Sequence, residues 1–387
     1  MDKILFFSRD PGGANCIIPL AHHMIAKKEY GILLFGKDKA CQRYAQAGID
    51  FKDIKDLLKE NISYEHIREF VHSINPVCIV TGTSEDDLAE KYLWKAASEA
   101  GIPSVAILDY WNSYCLRFSS AADTVDAKDG VKKCLPDKIC IMDDFAKKEM
   151  IKEGFSSDVL EITGQPHLSE VRQRLTRVST DDKNYRKKLG IASGCHVVVV
   201  VSEAVRTMYG DKGRAHWGYD EASLLKNTFD ALCAIHKEFP QENFCLVFRL
   251  HPKDNENILD DMIAGMKNDF IKVVKERGSS SEELICGADI LLGASSMLLL
   301  EAAIAQKPFL SVQIGQKQQD PFILSRMDKV KRVLSADDLK MRLSAFFSEG
   351  QFDKVDFSFL ENAVQNIEQV IKKLIGERHG NISHLRR

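Results

Sequence analysis

The stretch NFCLVFRLHPKD, residues 243–254, runs from an apolar strand core into a cluster of basic and imidazole side chains. Its first half is a short continuous apolar run rich in β-prone residues, the pattern of a strand covered on both faces. Arg249, His251 and Lys253 then crowd the place where that strand should emerge. Pro252 biases His251 toward extended backbone and away from helix. The stretch is either a solvated turn or one wall of a ligand site.

The same pattern repeats outward in both directions. CHVVVVV (195–201), FIKVV, DILLG and PFLSVQIG read as further strands. Amphipathic helical patterns such as DEASLLKNTFDALCAIHKEF separate them. Toward the N-terminus come KILFF, YGILLFG, PVCIVTG, PSVAILD, KICIMDD and VLEITGQP, with a first helix expected from about Asn15 to Lys28. Buried strands alternating with helices predict α/β architecture with parallel sheets covered on both faces. Between Leu168 and Leu189 the chain turns charged and poor in large apolar side chains, which marks the domain boundary. We expect two Rossmann-like doubly wound domains facing across a cleft, over residues 1–178 and 190–357. A helix over 358–376 should pack back toward the first domain.

Bulk properties exclude several classes. A net charge of −3 gives no electrostatic footprint for nucleic acid. No apolar run reaches the length of a membrane span, so at most peripheral membrane contact is expected. The short apolar run at the N-terminus does not resemble a signal peptide. Ten cysteines without a CxxC or Cys/His cluster read as reduced thiols, and the expected location is cytoplasmic. No DxD or His/Cys spacing favours a metal, so no metal and no cofactor are expected.

Ligands of doubly wound sheets bind at loops after the strands, so polar residues at strand ends matter most. After the first strand, SRDPGGAN (8–15) offers Arg9, the close-approach glycines Gly12 and Gly13, and Asn15 at an expected helix start. This is a seat for an anion or sugar hydroxyls, or a capped turn. It lacks the spacing of dinucleotide and P-loop motifs. Asp109 ends PSVAILD among aromatic residues and is either a general base or a cap, with Trp111 as a wall for a sugar. The loop 202–220 carries Arg206, Lys212 and Arg214, and reads as a phosphate-binding flap or a solvated excursion. Ser295 and Ser296 open a helix after DILLG, where they can hold phosphate or simply cap. Glu301 is an acid in an otherwise apolar helix, and ribose hydroxyls are suitable partners for it.

ITGQPHL (162–168), FRLHPKD (248–254) and LLGASSMLLLEAA (291–303), in that order, resemble the second half of GT-B-fold transferases that use a nucleotide-activated donor. The resemblance covers about residues 160–315 and is nearest the CDP-glycerol glycerophosphotransferases and the capsule transferases with a His-Pro motif. UDP-N-acetylglucosamine 2-epimerases share that architecture. It implies that Arg249, His251 and Lys253 meet donor phosphates and that Ser295 and Ser296 hold the phosphate or nucleotide end. Glu301 would hold ribose, and Gly164 would let the chain turn at the domain junction. Arg206 would meet charge on the leaving group, and Asp10 or Asp109 would take the acceptor's proton. The chain departs from these families in having His167 where glycerophosphotransferases carry arginine. It also lacks the epimerases' His-Arg-Arg-Glu stretch at 202–206 and the acidic motif of bacterial sialyltransferases.

The function expected is transfer of a sugar or polyol phosphate from a nucleotide-linked donor to a carbohydrate or lipid-linked acceptor, in surface polysaccharide or glycoconjugate synthesis. A nucleotide-sugar 2-epimerase or hydrolase, and a non-catalytic nucleotide-binding relative, are the alternatives. The oligomeric state stays open.

Overall fold

The computed structural model describes residues 1–58, 62–119, 134–177, 183–210, 216–266 and 268–385. The chain divides into two compact units, Met1–Glu170 with Phe357–Arg387, and Val171–Asp356. The division falls within the helix Pro166–Arg177.

The first unit is a seven-stranded sheet of β1 (Lys3–Ser8), β2 (Gly31–Gly36), β3 (Lys52–Asp53), β4 (Cys78–Thr81), β5 (Ser104–Ile107), β6 (Lys138–Ile141) and β7 (Leu160–Ile162). Their order is β3-β2-β1-β4-β5-β6-β7, and every pairing is parallel. The chain winds outward from β1, then returns to lay β4 on its other side, so the switch point lies between β1 and β4. Strand periodicity sends Ile4 and Phe6 to one core and Leu5 and Phe7 to the other, which explains the unbroken apolar run.

Helix Pro11–Lys27 covers the first of those faces and starts earlier than the expected Asn15. Proline lacks an N–H and has its φ preset, so Pro11 suits the first helical turn. The glycine pair therefore lies inside the helix, and Asn15 is not its cap.

The C-terminal helix Ala363–Leu385 belongs to the same unit. Ile367, Ile371 and Ile375 recur every four residues and join the core of Ile4 and Phe6. Burying each contributes roughly 1.5–3 kcal/mol. Glu368 lies 2.8 Å from both His23 and Lys27 of the first helix. The helix continues to Leu385, past the expected end at 376, since glycines such as Gly380 cost only about 1 kcal/mol each.

The second unit has five parallel strands, β8 (Cys195–Val201), β9 (Asn243–Arg249), β10 (Ile271–Glu276), β11 (Ile290–Gly293) and β12 (Phe309–Ser311). Their order is β10-β9-β8-β11-β12, which puts the switch point between β8 and β11. Among the described residues, no helix is long and apolar enough to cross a membrane.

Candidate functional site

In the second unit the adjacent strands β9, β8 and β11 deliver His251, Glu203 and the Ser295–Ser296 pair to one edge of the sheet. Glu203 was not among the residues expected from sequence, yet it organises this edge. Its Oε1 accepts the backbone N–H groups of Ala294, Ser295 and Ser296 at 2.8, 2.6 and 3.0 Å. Its Oε2 accepts the Ser295 hydroxyl at 2.7 Å. The carboxylate thus fills the N-terminal end of helix Met297–Ile304, where a phosphate was expected. Ser296 caps that helix, its hydroxyl accepting the Leu298 N–H at 3.2 Å.

His251 sits in a braced turn. The Lys253 N–H donates to His251 Nδ1 at 3.1 Å, so the imidazole proton resides on Nε2. Burial is the main cause that lowers the His251 pKa; Lys253 and Arg277 add to it and Asp254 opposes it. The ring is therefore a neutral hydrogen-bond donor near neutral pH. Arg249 is engaged elsewhere, 2.5 Å from Glu276 and donating to the Ser279 carbonyl at 2.9 Å. It ties the ends of β9 and β10 together and has no free fork for a phosphate. Lys253 is exposed.

Arg206 lies 2.6 Å from Asp220, on the short helix Val205–Tyr209 within the long loop. Lys212 and Arg214 lie outside the described residues. Glu301 is partly exposed by residue surface, but its carboxyl is buried enough that its pKa rises to about 7, with the Ser281 hydroxyl opposing the shift.

In the first unit, the β1/β4 switch point is tightly closed. A Cβ on Gly12 would lie 1.8 Å from Asp109 Oδ2, and one on Gly13 would lie 3.2 Å from Gly82 Cα. Only glycine permits both approaches. Asp109 pairs at 2.5 Å with Arg117, whose guanidinium also donates to the Thr83 carbonyl at 2.7 Å. Arg117 is buried, so Asp109 is committed to it as a counter-ion. Asp10 is placed differently: burial raises its pKa, with Arg9, 3.0 Å away, opposing the rise. Arg9 also pairs with Asp38 at 3.1 Å and with Asp86.

Trp111 does not wall a pocket. It is 1 % exposed and donates its indole N–H to Asp143 at 2.9 Å. Gly164 has φ +80° and packs where a Cβ would meet the Phe359 carbonyl at 2.9 Å. It admits the segment before the C-terminal helix, within the first unit. Two further buried charges escaped the sequence reading. Glu90 is 0 % exposed, accepts the Ser84 N–H at 2.6 Å, and burial raises its pKa to about 7. Lys91 donates to the carbonyls of Ser84, Glu85 and Asp87. Together they pin the loop after β4. Among the described residues, no group of three or more His, Cys, Asp or Glu side chains is placed to hold a metal ion.

No family model matches the chain, and no curated protein matches it. Solved structures do. UDP-GlcNAc 2-epimerase from Neisseria meningitidis, bound to UDP-GlcNAc, is 14% identical with a TM-score of 0.66, over 96% of this chain and 100% of that one. The Methanocaldococcus jannaschii UDP-GlcNAc 2-epimerase is 12% identical with a TM-score of 0.64, over 95% and 99%. HepE from Anabaena, in complex with UDP-glucose, is 15% identical with a TM-score of 0.55, over 99% and 100%. At such identities the likeness speaks for the fold, and the chain has a two-domain α/β fold of the GT-B type.

Proposed function

We propose that the chain is an enzyme that binds a nucleotide-activated donor on its second unit and transfers the sugar or polyol phosphate to an acceptor. The observation that carries this is the placement of fixed polar groups after three adjacent strands, Glu203 and the serine pair at the β8/β11 switch point and His251, offering its Nε2–H, after β9. As the donor bond breaks, negative charge builds on the departing nucleotide phosphate. His251 Nε2–H and the Lys253 ammonium are the groups positioned to meet that charge. The Ser295–Ser296 donors are already held by Glu203, so they serve the ligand only if that carboxylate moves. Glu301 is the acceptor for ribose hydroxyls in this reading. In the first unit, Asp10 is favoured over Asp109 as the base, since Arg117 holds Asp109.

A second reading is epimerase or hydrolase action on a nucleotide sugar alone, and its epimerase form draws support from the similarity to UDP-GlcNAc 2-epimerases. It calls for no acceptor. A CDP-glycerol-type transferase, a role in surface polysaccharide synthesis and a cytoplasmic location remain parts of the proposal. The test is incubation with UDP-, CMP-, GDP- and CDP-linked donors, with and without acceptors. Turnover only with acceptor supports transfer. Conversion of the donor alone supports the second reading, and affinity without turnover points to a binding protein.

A further inference from the structure

The turn that carries His251 is braced by two side chains to which the proposed function gives no role. Asp254 is 5 % exposed, and its Oδ2 accepts the His251 N–H at 2.8 Å. Its own N–H donates to the His251 carbonyl at 2.9 Å, closing the turn from the other side. Arg277, from the end of β10, donates to the carbonyls of His251 at 3.3 Å and Asp254 at 2.5 Å. One residue therefore clamps the turn from within and the other from the neighbouring strand. A solvated turn needs neither, because water satisfies such groups. Among the described residues, nothing accepts a hydrogen bond from His251 Nε2.

We propose that Asp254 and Arg277 are positioning residues that fix the turn of His251, so that the ring presents its Nε2–H to a ligand oxygen. The inference rests on the proposed function for the ligand, but not for the state of the ring. The charged groups acting on His251 are Asp254, Lys253 and Arg277. Beyond Asp254 lies Glu221, a buried carboxyl whose pKa is raised by burial, with the Asp254 charge adding to it. The two clamps act on the imidazole with opposite signs. The Asp254 carboxylate favours the imidazolium and the Arg277 guanidinium disfavours it.

The experiment is long-range proton–nitrogen NMR of the full chain with labelled histidine, His251→Ala serving to assign the resonance. The expected result is an Nε2–H tautomer, neutral at pH 7, that protonates below the ordinary histidine midpoint. Asp254→Asn should lower that midpoint further, and Arg277→Met should raise it. Arg277→Lys should restore the charge effect while leaving the two-carbonyl clamp incomplete. The midpoints report the neighbouring charges, and the tautomer reports the positioning: a merely structural role would leave the Nε2–H form of folded Asp254→Asn and Arg277→Lys as in the parent, whereas loss of positioning mixes in the Nδ1–H form. An Nδ1–H tautomer in the parent chain, an Nε2–H form unchanged in both of those folded variants, or midpoints unmoved in Asp254→Asn and Arg277→Met, would overturn the proposal without any variant having to bind ligand. If the tautomer and midpoints are as stated but no nucleotide binds, the inference about the turn holds and the functional reading fails.

Discussion

The Glu203 carboxylate accepts both the backbone N–H of Ser295, at 2.6 Å, and its hydroxyl, at 2.7 Å. An internal anion thus occupies the donors that the helix end offers, and β8 is stapled to the loop after β11. Glu203→Ala and Ser295→Ala should each destabilise the chain by about 1.5–3 kcal/mol, the range for hydrogen bonds to a charged group. Because both remove the same contact, the double variant should cost less than the two singles together. Urea denaturation of the four proteins checks this, and simple additivity would show the pair to be uncoupled.

Gly12→Ala should disturb the first unit from within. The new methyl would collide with Asp109 Oδ2 and push that carboxylate off Arg117. Overpacking of this kind costs about 1–3 kcal/mol. A denaturation midpoint equal to that of the parent would show that Asp109 is free to move.

Glu90 and Glu368 should give stability opposite dependences on pH. Burial raises the Glu90 pKa to about 7, so its proton is retained in the folded state after the unfolded chain has lost it. Its contribution is present below about pH 4.5 and is lost as pH rises toward 7, by at most about 1.4 kcal/mol per pH unit. Burial pushes Glu368 upward too, but bonds from Lys27, His23 and Lys372 hold it down at about 2. Its contribution is present above about pH 4.5 and is lost as pH falls toward 2. Glu90→Gln should therefore flatten the decline between pH 4.5 and 7, and Glu368→Gln should flatten the acid limb. Unchanged profiles of denaturation midpoint against pH would contradict both assignments.

Activity should persist in excess EDTA, because the proposed charge stabilisation comes from His251 and Lys253 and not from a bound cation. Loss of turnover in EDTA, restored by Mg²⁺, would refute this.

The alternation of strands and helices was legible because runs such as Val197 to Val201 are apolar on both faces, which only covered parallel sheets require. His251, Ser295 and Ser296 were legible from their places just past the ends of apolar strands, and all three do lie at the edge of one sheet. The start of the first helix was misread because glycines usually signal loops, whereas Gly12 and Gly13 serve close packing against Asp109 and Gly82. Trp111 looked like a ligand wall since aromatic residues suit that role, but burial against Asp143 decides otherwise. Glu203 was not legible. Its role depends on β8 lying beside β11, almost a hundred positions away in the chain, and on the carboxylate reaching three amides there. The same holds for Arg117 and Arg277, whose partners come from other strand ends.

His251 is the centre of the proposed site, and the direct measurement is nucleotide binding by the parent chain and by His251→Ala. Thermal shift against a panel of nucleotides and nucleotide sugars finds the ligand. A ligand at about 100 times its Kd should stabilise the parent by about 2.7 kcal/mol. Titration calorimetry with that ligand should then show a loss of about 1.5–3 kcal/mol in the variant, on the order of a tenfold to hundredfold weaker Kd. Its fold should survive, since an edge-of-sheet imidazole contributes little packing. If His251→Ala binds every nucleotide as tightly as the parent, the site lies elsewhere and residues 248–254 are only a turn.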